Sequence, residues 1–118
     1  MSRREIHDRT YQFALRIIKL CRYREEESSF GRSLGWQLLK SGTSIGANLE
    51  EVGAGQSRVD FISKCSISLK EALETRYWLR LLHDSQLIAQ NRLMPLIQES
   101  TEIITVLTTI VKNAQKNA

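Results

Sequence analysis

Long hydrophobic stretches, cysteine and proline are all scarce in this sequence. The longest mostly apolar run, residues 103–111, contains threonines and is too short to cross a bilayer. The beginning of the sequence is charged and lacks the apolar core of a secretory signal peptide. The two cysteines, Cys21 and Cys65, cannot build a disulfide framework. We therefore expect a protein of the reducing cytoplasm that does not enter membranes.

Catalytic and metal-binding motifs are missing as well. Neither His7 nor His83 completes the Glu-x-x-His pair of a di-iron bundle, and the cysteines lack the Cys-x-x-Cys spacing of zinc sites. No glycine-rich phosphate loop follows a strand. We expect no enzymatic activity, no metal, no cofactor and no small-molecule substrate.

The composition that is present fits one globular domain. The chain has 118 residues, of which 42% are hydrophobic and 25% are charged. Basic residues number 17 and acidic residues 13, for a net charge of +4. This balance favours an anionic partner only modestly, because the basic residues are scattered along the chain.

Apolar residues recur at helical spacing in four segments, at about 8–24, 30–52, 58–83 and 92–114. Short connections and one apolar stripe per helix predict a single all-α domain over residues 1–118, an antiparallel up-down-up-down four-helix bundle. The alternative for residues 103–111 is a strand, because this run is rich in β-branched residues.

The same spacing predicts the ends of the helices and the buried residues. Ser28 or Ser29, Ser57 and Asn91 are the predicted N-caps, with Pro95 in the first turn of the last helix. The predicted apolar face of the first helix carries Tyr11, Ala14, Ile18 and Cys21, with Phe13 and Ile17 on one flank and Leu15 on the other. The predicted common core is Leu34, Leu38, Ile45, Leu49, Phe61, Leu69, Leu79, Ile97, Ile104 and Leu107.

The second helix is unusually rich in glycine. Gly35, Gly42, Gly46 and Gly53 project to nearly the same side, which indicates close approach to a neighbouring helix or to another subunit. The alternative is a kinked or interrupted helix.

Small polar residues lie on the other flank of the second helix. The predicted polar contacts between helices come from Ser44, Asn48 and Glu51, with Gln37 and Ser41 on the same flank, and the alternative is that water solvates these residues.

The third helix carries more apolar residues than one buried stripe needs. Ile67, Trp78 and Leu81 face away from the core stripe, and Trp36 points away from the core face of the second helix. The simplest partner for these residues is another copy of the chain. The predicted oligomer interface consists of Trp36, Gly42, Gly46, Ile67, Glu71, Glu74 and Trp78.

Two stretches resemble a known family. Residues 37–51, with SIGAN at 44–48, and residues 60–82, with KEALETRYWL at 70–79, are similar to the signature of the small four-helix-bundle family tied to 23S rRNA intervening sequences. The resemblance covers nearly the whole chain in element order. The retroelement accessory variability protein looks like a relative.

The resemblance implies an antiparallel four-helix bundle that often assembles as a homopentameric barrel and has no catalytic residues. The retroelement relative is a basic pentamer that binds nucleic acid and a reverse transcriptase, whereas the general role of the family is unsettled.

We therefore predict a non-enzymatic homo-oligomer, by preference a pentamer, that binds the backbone of RNA or DNA. Arg9, Arg16 and Lys19, on the outer face of the first helix, are the predicted phosphate contacts. The alternative is a protein-interaction scaffold without nucleic-acid contact, in which Trp36 and Trp78 supply the anchors.

Overall fold

A computed structural model describes residues 2–22, 29–52 and 57–116, without the side chains of residues 29 and 30. These residues form four helices, α1 (Arg3–Arg22), α2 (Ser29–Glu50), α3 (Arg58–Asp84) and α4 (Gln90–Lys116). The predicted all-α class is confirmed. Residues 103–111 lie within α4, so the alternative of a strand there is wrong.

Capping explains where α1 and α3 begin. The hydroxyl of Ser57 accepts a hydrogen bond from the backbone N–H of Asp60 at 3.1 Å, as the sequence predicts. At α1, Ser2 and Glu5 form a reciprocal capping box, in which each side chain accepts from the backbone N–H of the other. This box starts α1 at Arg3, earlier than the apolar pattern indicates.

The predicted N-caps of α2 and α4 are not confirmed. Asn91 is not a cap, because α4 already begins at Gln90. Pro95 lies beyond the first turn, where its missing N–H leaves the carbonyl of Asn91 without the usual helical partner. Ser29 is the first residue of α2, and Ser28 lies outside the described residues.

Neighbouring helices run antiparallel. The order of contacting residues reverses between partners, since Thr10 and Ile17 of α1 meet Gly46 and Gly42 of α2. The same reversal relates α2 to α3 and α1 to α4. The topology is therefore up-down-up-down, in a body of 47 × 20 × 20 Å.

The core contains most of the predicted residues, but the buried faces of α1 and α4 are rotated slightly from the predicted faces. Half of the predicted set is fully buried, and the other half packs against it while partly exposed: Leu34, Phe61, Leu69, Ile97 and Ile104. On α1 the buried face includes the predicted flank of Phe13 and Ile17 but not the predicted centre, because Tyr11 and Ile18 are exposed and the buried residues are Ile6, Thr10, Phe13, Ile17 and Leu20. On α4 the buried residues are Leu93, Leu96, Ser100, Ile103, Leu107 and Val111.

Two buried hydroxyl groups explain why the buried faces of α1 and α4 differ from the predicted faces. Thr10 donates to the carbonyl of Ile6 at 2.9 Å, and Ser100 donates to the carbonyl of Ile97 at 2.7 Å. Because each hydroxyl is satisfied within its own helix, a polar residue occupies the centre of a core face at little cost. A pattern of apolar residues alone misplaces such a face.

Candidate functional site

Gly42 and Gly46 lie inside the bundle and not on an outer surface. A Cβ at Gly42 would lie 3.0 Å from both Cγ atoms of Ile17, and a Cβ at Gly46 would lie 3.3 Å from Oγ1 of Thr10. These glycines let α2 approach α1 of the same chain, which confirms the predicted close approach to a neighbouring helix. Gly53 lies outside the described residues.

Polar contacts between α2 and α3 exist, and Ser41 of the predicted polar flank takes part in one of them. The hydroxyl of Ser68 donates to the carbonyl of Ile45 at 2.8 Å, and the hydroxyl of Thr75 lies 3.0 Å from that of Ser41. Ser41, Ser68 and Thr75 are fully buried, so these bonds lie in the core. In the sequence, such bonds are indicated by serine and threonine residues on the core-facing side of each helix.

The predicted polar residues behave differently from one another. Ser44 donates to the carbonyl of Lys40, and Asn48 donates to the carbonyl of Ser44, so neither of these bonds leaves α2. Glu51 does reach across, because its carboxylate lies 3.2 Å from Nζ of Lys64 on α3.

Arg9 is an ion-pair partner and not an outward-facing cation. Its Nε and Nη2 atoms donate to the two carboxylate oxygens of Glu99 at 2.6 and 2.8 Å, and Glu102 lies 3.3 Å from Nη2. The hydrogen bond to Glu99 raises the pKa of Arg9 further above its ordinary value. The expectation that Arg9 stands free on the outer face of α1 is therefore wrong, and Arg9 ties α1 to α4.

Arg16 and Lys19 are exposed, and both line a shallow groove of ≈ 320 Å³ between α1 and α4. Leu20, Pro95 and Leu96 form its apolar part, and Arg92 of α4 lines it too. The groove thus places basic side chains of two helices around an apolar floor. Sequence spacing could not pair Arg92 with Arg16, because their proximity depends on the antiparallel packing of α1 and α4.

The outer side of α3 exposes apolar and acidic residues together. Ile67 and Leu81 are each 37% exposed, and Glu74 is exposed beside them. Burial raises the pKa of Glu71, and the carboxylate of Glu74 raises it further, while Lys40 of α2 opposes this rise. Among the described residues, the buried indole N–H of Trp78 finds no acceptor. We call Ile67, Glu71, Glu74, Trp78 and Leu81 the acidic α3 face.

A cavity of ≈ 340 Å³ lies between the C-terminal part of α1 and the N-terminal part of α2. Its lining is mainly apolar, and Trp36 is 62% exposed there. We call this space the Gly35 cavity, lined by Ile18, Cys21, Arg22, Gly31, Arg32, Gly35, Trp36 and Leu39.

The candidate nucleophiles are poorly placed for catalysis. Burial raises the pKa of Cys21 to about 11, and burial also raises the pKa of Cys65, so both thiols are protonated at neutral pH. Nδ1 of His83 lies 2.9 Å from the carboxylate of Asp84 at the end of α3. Across the described parts of the chain, no group of three or more His, Cys, Asp or Glu side chains comes together as metal ligands do, and no helix has the length and apolarity of a membrane span.

Known proteins are similar to this chain in sequence and fold. A family model described as 23S rRNA-intervening sequence protein matches residues 3–109. A crystal structure of a protein with unknown function from the S23 ribosomal protein family of Bacteroides thetaiotaomicron is similar, with 41% identity and a TM-score of 0.80. That likeness covers 91% of this chain and 98% of the other. Among curated proteins, no match is found.

Proposed function

This chain belongs to the 23S rRNA-intervening sequence protein family, and on that premise we propose that it acts without catalysis, as a homo-oligomer that binds the phosphate backbone of a nucleic acid. We place this activity in the cytoplasm, in keeping with two cysteines that form no disulfide. The single observation that carries the nucleic-acid part is the basic groove between α1 and α4.

The chemistry of the groove suits a phosphate backbone. Arg16 and Lys19 are exposed and project from one helix, with Arg92 on the facing helix. No carboxylate is among the described residues that line it. Contacts of this kind neutralise phosphates without reading bases, so binding is expected to tolerate many sequences.

Oligomerisation would multiply this weak site. Each copy would contribute one groove, and several grooves on one body raise the effective affinity for a long polyanion without any new contact. The exposed apolar residues of α2 and α3 support self-association, because Trp36 and the acidic α3 face leave apolar surface uncovered on a single chain. A pentamer is the assembly we favour.

The test is a salt titration of binding to duplex DNA and to duplex RNA of the same length. In the variant Arg16→Gln/Lys19→Gln we expect weaker binding, and on DNA a slope of log affinity against log salt that is shallower by about 0.9 for each lost phosphate contact. The comparison of DNA with RNA shows which backbone the groove prefers.

The matched control is Lys112→Gln/Lys116→Gln, which removes the same charge from exposed positions at the far end of α4. This control should keep nearly all of the affinity and slope. An equal loss of affinity in both variants would show that net charge alone governs binding and that the groove is not the binding site.

The second candidate function is a scaffold that binds another protein and touches no nucleic acid. The observation in its favour is the exposure of Trp36 and of Tyr77, because aromatic side chains of this kind anchor protein interfaces. This candidate takes first place if the unmodified protein binds neither RNA nor DNA at low salt.

A further inference from the structure

Pro95 lies in the interior of α4, where proline is the least favourable residue. It lacks the N–H that would donate to the carbonyl of Asn91, so the helix loses one of its hydrogen bonds there. The ring does not offset this loss by packing in the core, because Pro95 is exposed. The ring instead lines the groove between α1 and α4.

The groove joins two kinds of surface. Arg16 and Lys19 are exposed and lie three residues apart on α1, so their side chains are neighbours on the helix surface. Among the described residues, neither of them forms an ion pair. The apolar lining consists of the buried Leu20 and Leu96 and the exposed ring of Pro95. A ligand that fits both surfaces has adjacent anionic groups and a flat apolar face.

A nucleic-acid duplex offers only part of that chemistry. Its bases are stacked inside the double helix, so that sugar and phosphate form the surface towards a shallow groove. A single strand can turn a base out of the stack and present the face of that base to the protein. The groove volume of ≈ 320 Å³ is at the small end of the range of ligand sites, which suits one base with its sugar.

We propose that the groove between α1 and α4 binds single-stranded nucleic acid, with one unstacked base against the ring of Pro95 and adjacent phosphates at Arg16 and Lys19. This inference rests on the proposed function and names the form of nucleic acid that the groove takes. Every base has a flat face, so the contact with Pro95 agrees with binding that tolerates many sequences. A duplex reaches the cations alone and binds more weakly.

The experiment measures the affinity of three DNA probes by fluorescence anisotropy at one salt concentration. The probes are a short oligothymidylate, an abasic strand with the same number of phosphates, and a duplex that contains the same thymidylate strand. The variant is Pro95→Ala, which removes the ring, keeps every charge and favours the helix. Circular dichroism verifies that the variant is helical.

The unmodified protein should bind the oligothymidylate more tightly than the abasic strand or the duplex. In Pro95→Ala we expect the affinity for the oligothymidylate to fall about fivefold, the effect of uncovering about 40 Å² of apolar surface. The affinities for the abasic strand and for the duplex should not change, because neither probe places a base on the ring. The dependence on salt should also stay the same, since no phosphate contact is lost.

The matched control is Met94→Ala. Met94 is the neighbour of Pro95 on α4 and is 40% exposed, but it is not among the residues that line the groove. This control truncates an exposed apolar side chain outside the proposed contact. It should bind all three probes as the unmodified protein does.

The probes separate this inference from the proposed function. If Pro95→Ala loses no affinity for the oligothymidylate, or loses as much for the abasic strand, the contact between base and ring is overturned. Tighter binding of the duplex than of the oligothymidylate overturns the preference for single strands, while a loss of duplex affinity in Arg16→Gln/Lys19→Gln would still support the phosphate contacts. An unmodified protein that binds none of the probes at low salt overturns the proposed nucleic-acid binding together with this inference.

Discussion

Beside Ile17 and Thr10, the contact between α1 and α2 is close, because a Cβ at Gly42 or Gly46 would lie only 3.0 or 3.3 Å from the facing side chain. Nearer the C-terminal end of α1, the same two helices leave the Gly35 cavity open. Three glycines on one side of a helix thus have two roles. In the closed stretch they permit packing within the chain, and in the open stretch the glycine lines a cavity that the described residues leave uncovered.

The largest expected effect is in the closed stretch. We predict that Gly42→Val lowers the free energy of unfolding by roughly 2–3 kcal/mol, because the new side chain meets the buried Ile17 and overpacks the contact. Urea unfolding measures it, in the Ile67→Lys/Glu74→Lys background, which places positive charge on the acidic α3 face so that assembly does not contribute. An unchanged midpoint would show that the stretch is not closed.

The thiol of Cys21 reports on the open stretch. Its pKa of about 11, against 9.0 for an ordinary thiol, lowers the thiolate fraction at neutral pH roughly 100-fold. In the same background, we predict that alkylation of Cys21 by iodoacetamide accelerates about tenfold per pH unit until the pH nears that value. Mass spectrometry separates Cys21 from Cys65, and a rate that levels off near pH 9 would contradict the environment described for Cys21.

Arg9 lies in the same turn of α1 as Thr10, but its side chain contacts α4 and not α2. We predict that Arg9→Gln costs about 1 kcal/mol of stability, because a partly buried bidentate pair with Glu99 is lost. The same change should leave the affinity for nucleic acid nearly unaltered, unlike Arg16→Gln/Lys19→Gln. A loss of affinity without a loss of stability would return Arg9 to the binding surface.

The smallest expected effect is at Gly35. We predict that Gly35→Ala raises the free energy of unfolding by up to about 1 kcal/mol in the Ile67→Lys/Glu74→Lys background, because alanine favours the helix and its Cβ has room. Gly42→Val and Gly35→Ala are thus expected to change the free energy of unfolding in opposite directions. Destabilisation by Gly35→Ala would mean that the open stretch is closed by the chain itself.

Much of the fold follows from local patterns. Helical spacing predicts the number and order of the helices and favours a helix over a strand at 103–111, because the apolar seam continues beyond both ends of that run. The buried face of α1 does not follow, since Thr10 belongs to the core while Tyr11 and Ile18 do not. Hydroxyls satisfied by their own helix cannot be recognised from apolar spacing.

The candidate surfaces, like the fold, are only partly predictable from the sequence. An excess of apolar residues on α3 is visible in the sequence and predicts an uncovered face there. What each charge pairs with is not visible, because Arg9 and Glu99 are separated by 90 positions along the chain. The two roles of the glycines are likewise decided by whether α1 passes close to them.

Self-association is tested by the mass of the unmodified protein in solution, measured by sedimentation equilibrium at micromolar concentration in moderate salt. The uncovered Gly35 cavity and acidic α3 face predict a multiple of the 13.6 kDa chain mass, with five chains favoured. A single species of 13.6 kDa would contradict self-association through these surfaces.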